Sequence, residues 1–242
     1  MNIRKFPTEA KTAFAAANEV AEFIRNNRDA LVCLAAGDTM LPVFQGLLKL
    51  QRGNMVDLSD VYYVGLDEWV GLDRKTKGSC EQVMFDEYYT PAGIPNDRIC
   101  VWNGTCENVQ AERARIESWI SSHDGIDLTV LGIGMNGHIG FNEPHSGLQE
   151  GTVLVTLDAV TRAVSSKYFD KECAVEYGVT IGALELKKAQ KLILIATGIR
   201  KAEIVKKTLN DGIDTAVPAS LMMDHLDVTF FADEAALTHM SK

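Results

Sequence analysis

Short, mostly apolar runs recur along this chain at 30–35, 61–66, 98–102, 126–131, 152–157, 191–196 and 227–232, separated by turns and by stretches of helical periodicity. Runs of that length with β-branched content read as strands buried on both faces. Strands that alternate with helices must be joined by crossovers, so the pattern demands a mostly parallel sheet covered by helices on both sides. The expected fold is therefore α/β: a three-layer α/β/α arrangement with a Rossmann-like central sheet. At 242 residues the chain suits one domain of this class, spanning 1–242.

The helical stretches can be placed in turn. Thr8 caps a first helix through Ala13, Ala16, Val20 and Phe23, and a second runs through Phe44, Leu47 and Leu48. Ser79 opens a third through Val83, Phe85 and Tyr88, ending near Pro91-Ala-Gly93. Val109 to Ile120 forms another, whose Glu112, Arg113, Arg115 and Glu117 read as a solvated face. A helix through Ile204 and Leu209 follows the 191–196 strand, and a short helix closes the chain after 232.

In open α/β sheets ligands bind beyond the carboxyl ends of the strands, so the turns there hold the candidate site. The richest follows 126–131: Gly132-Ile-Gly-Met-Asn136-Gly-His138-Ile-Gly-Phe-Asn142-Glu143-Pro144. Its glycines permit backbone angles other residues resist. His138 is a base of near-neutral pKa, and Glu143 is a carboxylate able to orient it or hold its protonated form. Asn136 can orient His138 but carries no charge. Val61 to Leu66 ends in Asp67-Glu68, and alternation in extended backbone sends the two carboxylates in different directions, so one can face a substrate while the other holds structure. Two further strand ends, Ala36-Gly37-Asp38-Thr39 and Thr197-Gly198-Ile199-Arg200-Lys201, lead into helices, where backbone N–H groups and the positive helix end favour an anion.

Composition narrows the ligand. A net charge of -9 argues against nucleic acid as a partner while leaving room for a local basic pocket. Cys33, Cys80, Cys100, Cys106 and Cys173 are scattered, without the close pairs of a metal site or redox dithiol, and read as reduced thiols. No stretch approaches the ~20 apolar residues of a membrane span, and the first residues lack the apolar core of a signal peptide. A cytoplasmic protein is expected, with neither membrane nor nucleic-acid partners; monomer and homo-oligomer stay open.

The 132–144 loop resembles the hallmark of the glucosamine-6-phosphate deaminases (isomerases), and Leu66-Asp67-Glu68-Trp69-Val-Gly-Leu72 is similar to their Asp-Glu-Tyr segment. The resemblance covers nearly the whole chain. Trp69 in place of tyrosine, with Gly78-Ser-Cys-Glu81, looks more like the galactosamine-6-phosphate branch. What the resemblance implies is conversion of an amino-sugar 6-phosphate to a keto-sugar 6-phosphate and ammonia, without metal or organic cofactor. Asp67 would carry the C2-to-C1 proton and His138 would assist ring opening at O5, with Asn136 and Glu143 in support. Gly37 and Thr39 carry over as phosphate contacts, Lys167 stands where the family has an arginine, and Lys201 matches its phosphate lysine.

Two positions depart in the phosphate loop: Asp38 replaces a small residue and Met40 replaces proline. The capping habit of aspartate favours an outward Asp38 over a changed ligand. Because Asn136 stands where some members have aspartate, Asn136→Asp is expected to be tolerated. Two other functions are weighed, a 6-phosphogluconolactonase and a sugar-phosphate binder without turnover. Trp69 and the complete Phe141-Asn-Glu-Pro144 string argue for the deaminase, and no residues remain for the DNA-reading module of a sensor.

Overall fold

The computed structural model describes residues 1–165, 167–169 and 174–240, so Ser166 and Cys173 lie outside the described residues. The chain opens with β1 (Asn2–Phe6) and α1 (Glu9–Asn26), and Thr8 caps the helix by accepting from Lys11 N–H at 3.3 Å. There follow β2 (Leu31–Leu34), α2 (Leu41–Arg52), β3 (Tyr62–Gly65) and β4 (Asp67–Trp69). Ser79 caps α3 (Cys80–Met84), which widens into a π-turn at Phe85–Tyr89, continues as α4 (Thr90–Ala92) and ends at Gly93 with φ 67°. The remainder is β5 (Ile99–Cys100), α5 (Val109–Ser122), β6 (Leu128–Gly132), β7 (Thr152–Thr156), α6 (Ala159–Ser165), β8 (Tyr177–Ile181), α7 (Ala183–Lys187), β9 (Lys191–Ala196), α8 (Ala202–Asn210) and β10 (Val228–Asp233).

A seven-stranded sheet in the order β1-β10-β9-β6-β2-β3-β5 has every neighbour parallel. Side-chain alternation assigns its faces. Val32, Leu34, Val130 and Ile193 pack with α1, α2 and Tyr88, whereas Leu31, Cys33, Leu131 and Leu192 pack with Ile116 and Ile120 of α5 and Val205 of α8. The three layers and the parallel sheet are as the sequence pattern required. Strand order reverses between β2 and β6: from β2 the chain moves outward to β3 and β5, then returns to β2's other side. Loops after β2 and β6 diverge there, opening the crevice in which such sheets bind ligands.

Several features differ from expectation. A second, three-stranded antiparallel sheet, β4-β8-β7, was not foreseen. β3 passes almost directly into β4, so Asp67 leaves the main sheet at its carboxyl end, and β8, Tyr-Gly-Val-Thr-Ile, is broken by glycine and threonine and does not stand out as an apolar run. After β10 the chain makes turns such as Leu237 N–H to Asp233 C=O at 3.2 Å, and among the described residues the expected terminal helix does not form. The α5 charges are not a solvated face either. Glu112 is buried, accepting from Asn103 N–H at 2.7 Å and pairing with Arg115, while Glu117 accepts from Thr152 N–H and hydroxyl. These contacts tie α5 to the small sheet, which a helical charge pattern read by itself cannot reveal. Among the described residues no helix is long and apolar enough to cross a membrane.

Candidate active site

Four chain segments converge at the carboxyl ends of β2, β3, β6 and β9 around one cavity of about 740 Å³. That size falls in the range of small-molecule sites, roughly 300–1,000 Å³. Gly37, Asp38 and Thr39 enter from the turn after β2, Asp67 from the start of β4, His138 from the glycine loop after β6, and Arg200 and Lys201 from the turn after β9. Lys167 joins them from beyond α6. Seven of the sequence-predicted positions therefore share one cavity: Gly37, Asp38, Thr39, Asp67, His138, Lys167 and Lys201. Asn136 and Glu143 are not part of its lining and act on His138 instead.

The Asp67-Glu68 pair divides as alternation predicts. Glu68 is buried, and its carboxylate accepts from the backbone N–H of Trp69 and Cys80, both at 2.9 Å, and of Glu81 at 2.7 Å. It pins the first turn of α3, which explains why a charged group is retained there. Asp67 faces the cavity, where burial pushes its carboxyl up to about 7, opposed by a hydrogen bond from the Cys80 thiol. A carboxylate kept near neutral pKa without a cationic partner is suited to exchange protons.

The glycine loop exists to hold His138. A β-carbon on Gly134 would stand 2.3 Å from His138 Nε2, so only glycine lets the imidazole lie against that backbone. Asn142 is a buried clamp rather than a chemical group: its amide donates to the carbonyls of Ile139 and Ile181 and its oxygen accepts from Ala183 N–H. Asn136 accepts from His138 N–H at 3.1 Å and donates to Glu143 Oε2 at 3.1 Å and Asp158 Oδ1 at 3.3 Å. Burial, reinforced by the Lys201 cation, lowers His138 to about 4, so the neutral imidazole is its resting form.

Two expectations gain geometric detail here, and Glu143 stands within ion-pair reach of a protonated His138. Glu143 Oε2 stands 3.6 Å from His138 Nδ1, too far for a direct hydrogen bond, and Thr161 Oγ1 takes that place at 3.1 Å. The contacts argue against the tolerance expected for Asn136→Asp, because an aspartate would remove the amide that stands between two carboxylates and add a third. We expect Asn136→Asp to cost about 2 kcal/mol from lost charge-assisted hydrogen bonds, visible by calorimetry as a fall in Tm of roughly 5 °C. An unchanged Tm would mean that the contacts of Asn136 contribute nothing to stability.

At the cationic side, Asp38 does not cap the following turn, which has Gly37 at its N-cap and no side-chain hydrogen bond there. It reaches Lys167 instead, Oδ2 to Nζ at 2.7 Å. The lysine, set 129 residues later in the chain, offers a stronger partner than a backbone N–H. Lys201 donates to the Ile133 carbonyl, and burial together with Lys167 and Arg200 lowers it to about 8. Glu9, Asp38 and Asp67 line the same cavity as Lys167, Arg200 and Lys201, and the three cations with Asp38 paired to Lys167 form the corner suited to a dianion.

Asp158, Thr161 and Cys80 are the residues that sequence reasoning missed. Asp158 carried a local signal: it accepts from Val160 N–H at 2.8 Å, the turn that opens α6. Thr161 carried none, since only the fold brings α6 against His138. Among the described residues no three His, Cys, Asp or Glu side chains gather as metal ligands.

Known proteins are similar to this chain in sequence and fold. The model of a family described as glucosamine-6-phosphate isomerases/6-phosphogluconolactonase matches residues 7–230. A glucosamine-6-phosphate deaminase of Clostridium perfringens (strain 13 / Type A) is 36% identical over 222 residues, covering 91% of this chain and 92% of its own. One from Thermoanaerobacter sp. (strain X514) is 34% identical over 222 residues, covering 91% and 88%. The solved structure of a monomeric glucosamine-6-phosphate deaminase superposes with TM-score 0.94 at 30% identity, covering 98% of this chain and 99% of that one. A Trypanosoma brucei 6-phosphogluconolactonase shares the fold with TM-score 0.79 at 17% identity, covering 99% and 98%.

Proposed function

This chain belongs to the family of glucosamine-6-phosphate isomerases and 6-phosphogluconolactonases, and from that premise we propose that it converts an amino-sugar 6-phosphate to the keto-sugar 6-phosphate and ammonia. The observation that carries this reading is the meeting of Asp67 and His138 in one cavity with Lys167, Arg200 and Lys201. Two proton-transfer groups of opposite kind and a corner for a phosphate dianion are what aldose-to-ketose chemistry requires.

His138 takes the proton of the anomeric hydroxyl and returns it to O5, which opens the ring. Asp67 then removes the C2 proton as a proton of the C2 ammonium passes to O1, giving an enolamine with C1 bonded to C2 by a double bond. The same carboxyl delivers the proton to C1, leaving C2 as an iminium. Water adds at C2 and ammonia departs, so the sum is sugar phosphate plus water to ketose phosphate plus ammonia. Lys201 and Lys167 hold the phosphate, with Gly37 and Thr39 beside it. Lys167 is released from Asp38 as the more highly charged phosphate arrives.

The reading extends to a cytoplasmic enzyme whose site is built within one domain of 242 residues. Cys33, Cys80, Cys100 and Cys106 are free thiols, as reducing compartments keep them. Trp69 favours the galactosamine branch. Ammonia release measured on glucosamine 6-phosphate and galactosamine 6-phosphate, beside hydrolysis of 6-phosphogluconolactone, tests all of this. Release from an amino sugar supports the reading, and lactone hydrolysis without ammonia overturns it.

The pH dependence has a defined sign. Asp67 acts as a base only when ionised, so kcat/KM rises with pH through about 7. Lys201 holds phosphate best as a cation, so kcat/KM falls through about 8. We expect a narrow bell with its top between these limits, measured by ammonia release at constant ionic strength. A profile flat across both limits contradicts the two assignments.

A further inference from the structure

Glu143 and His138 face each other without touching, and the gap between them is filled by one buried hydroxyl. Nδ1 and Oε2 are 3.6 Å apart, whereas Thr161 Oγ1 lies 3.1 Å from Nδ1 and near enough to the Glu143 carboxyl to pull its pKa down against burial. Thr161 and Glu143 are both buried. A hydroxyl owns one proton, and a carboxylate can only accept. Thr161 therefore donates to Glu143 and accepts from Nδ1–H, which leaves the lone pair of the neutral imidazole on Nε2. Thr161 thus sets the tautomer of His138.

Resting on the deaminase reading, we propose that Thr161 is a positioning residue that conducts a proton between His138 and Glu143. When Nε2 accepts the anomeric hydroxyl proton, the Nδ1 proton passes to Thr161 Oγ1 as the hydroxyl proton of Thr161 passes to Glu143. His138 is left neutral with its proton on Nε2, and Glu143 becomes a carboxylic acid. Delivery of the Nε2 proton to O5 runs both transfers backwards, so each group ends as it began. No imidazolium has to persist beside Lys201.

The surroundings suit that end state. Burial and Lys201 disfavour a charged His138, while burial raises Glu143 above the usual carboxylate range. Asn136 Nδ2 donates to Glu143 Oε2 and Asp158 N–H donates to Oε1, at 3.1 and 3.2 Å. Those donors fix the carboxyl in its place opposite Thr161. The segment around α6 thus supplies both a donor that holds Glu143 and the hydroxyl that links it to His138.

Nitrogen-15 NMR of imidazole-labelled protein tests the proposal without reference to turnover. Wild type is expected to show His138 neutral at pH 7 with its proton on Nδ1, and so is Thr161→Ser, while Thr161→Val loses that preference. A wild-type His138 protonated on Nε2, or a spectrum unchanged in Thr161→Val, overturns it. Turnover adds a second readout. Thr161→Val should lower kcat about 10- to 100-fold, a part of what acid–base catalysis contributes, with KM nearly unchanged, and Thr161→Ser should restore kcat to within a few-fold. If Thr161→Val keeps wild-type kcat and pH profile, the relay falls while the deaminase reading stands. If wild type releases no ammonia from any amino sugar, that reading falls, and the NMR result alone decides the tautomer role.

Discussion

Replacing Asp67 by asparagine is expected to lower turnover of the amino-sugar phosphate by about 10²–10⁴-fold, the usual share of a positioned acid–base group. The substitution preserves shape. The amide oxygen would still accept from the Cys80 thiol, and the change relieves the cost of burying a carboxylate, the cost that pushes Asp67 up to about 7. Folding is therefore expected to be undisturbed or slightly improved, and KM, which depends on the cationic corner, to stay within a few-fold. What is lost is the ability to receive a proton from carbon, since an amide has no basic lone pair for it. Steady-state ammonia release and a thermal melt on the same preparation check both halves. Full turnover in Asp67→Asn would refute Asp67 as the carbon base.

The neighbouring carboxylate should answer in the opposite way. Glu68→Gln puts an NH₂ group against backbone N–H donors that now converge on Oε1 and Oε2 at 2.7–2.9 Å. Burial pushes Glu68 up to about 8, although the three donors pull the other way. A proton on either oxygen would face a donor, so the carboxylate is the form that fits. Leaving one or two buried N–H groups unpaired costs about 3 kcal/mol, or roughly 10 °C in Tm for a chain of this length. Turnover falls as well, because the start of α3 carries the Cys80 that contacts Asp67. A melt unchanged in Glu68→Gln would remove the structural role assigned to this residue. Adjacent residues with near-identical chemistry thus separate into one that reacts and one that holds.

Much of this molecule was legible before any coordinates. Strands buried on both faces announce themselves as apolar runs, because a polar group along them is costly and so few are found, Thr129 and Thr229 among them. Capping residues such as Thr8 and Ser79 act on backbone three residues away, and local chemistry of that kind is written locally. The small antiparallel sheet escaped because β4 has three residues and β8 contains a glycine, so neither forms a run. The charges of α5 were misjudged for a related reason: their partners are Asn103 and Thr152, and a helical pattern does not say what lies opposite.

The candidate site splits along the same line. By itself the sequence determined the α/β class, the glycine loop around His138, and the identity of the groups at each strand end. Those features depend on residue type and on neighbours within a few positions. Only the tertiary structure decided that Asp38 pairs with Lys167, that Thr161 stands between His138 and Glu143, and that Asn136 separates two carboxylates. Each of those depends on separations of 2.7–3.3 Å between side chains that the fold, not the local sequence, brings together. Hydrogen bonding is that short-ranged, and only the packed fold sets such distances.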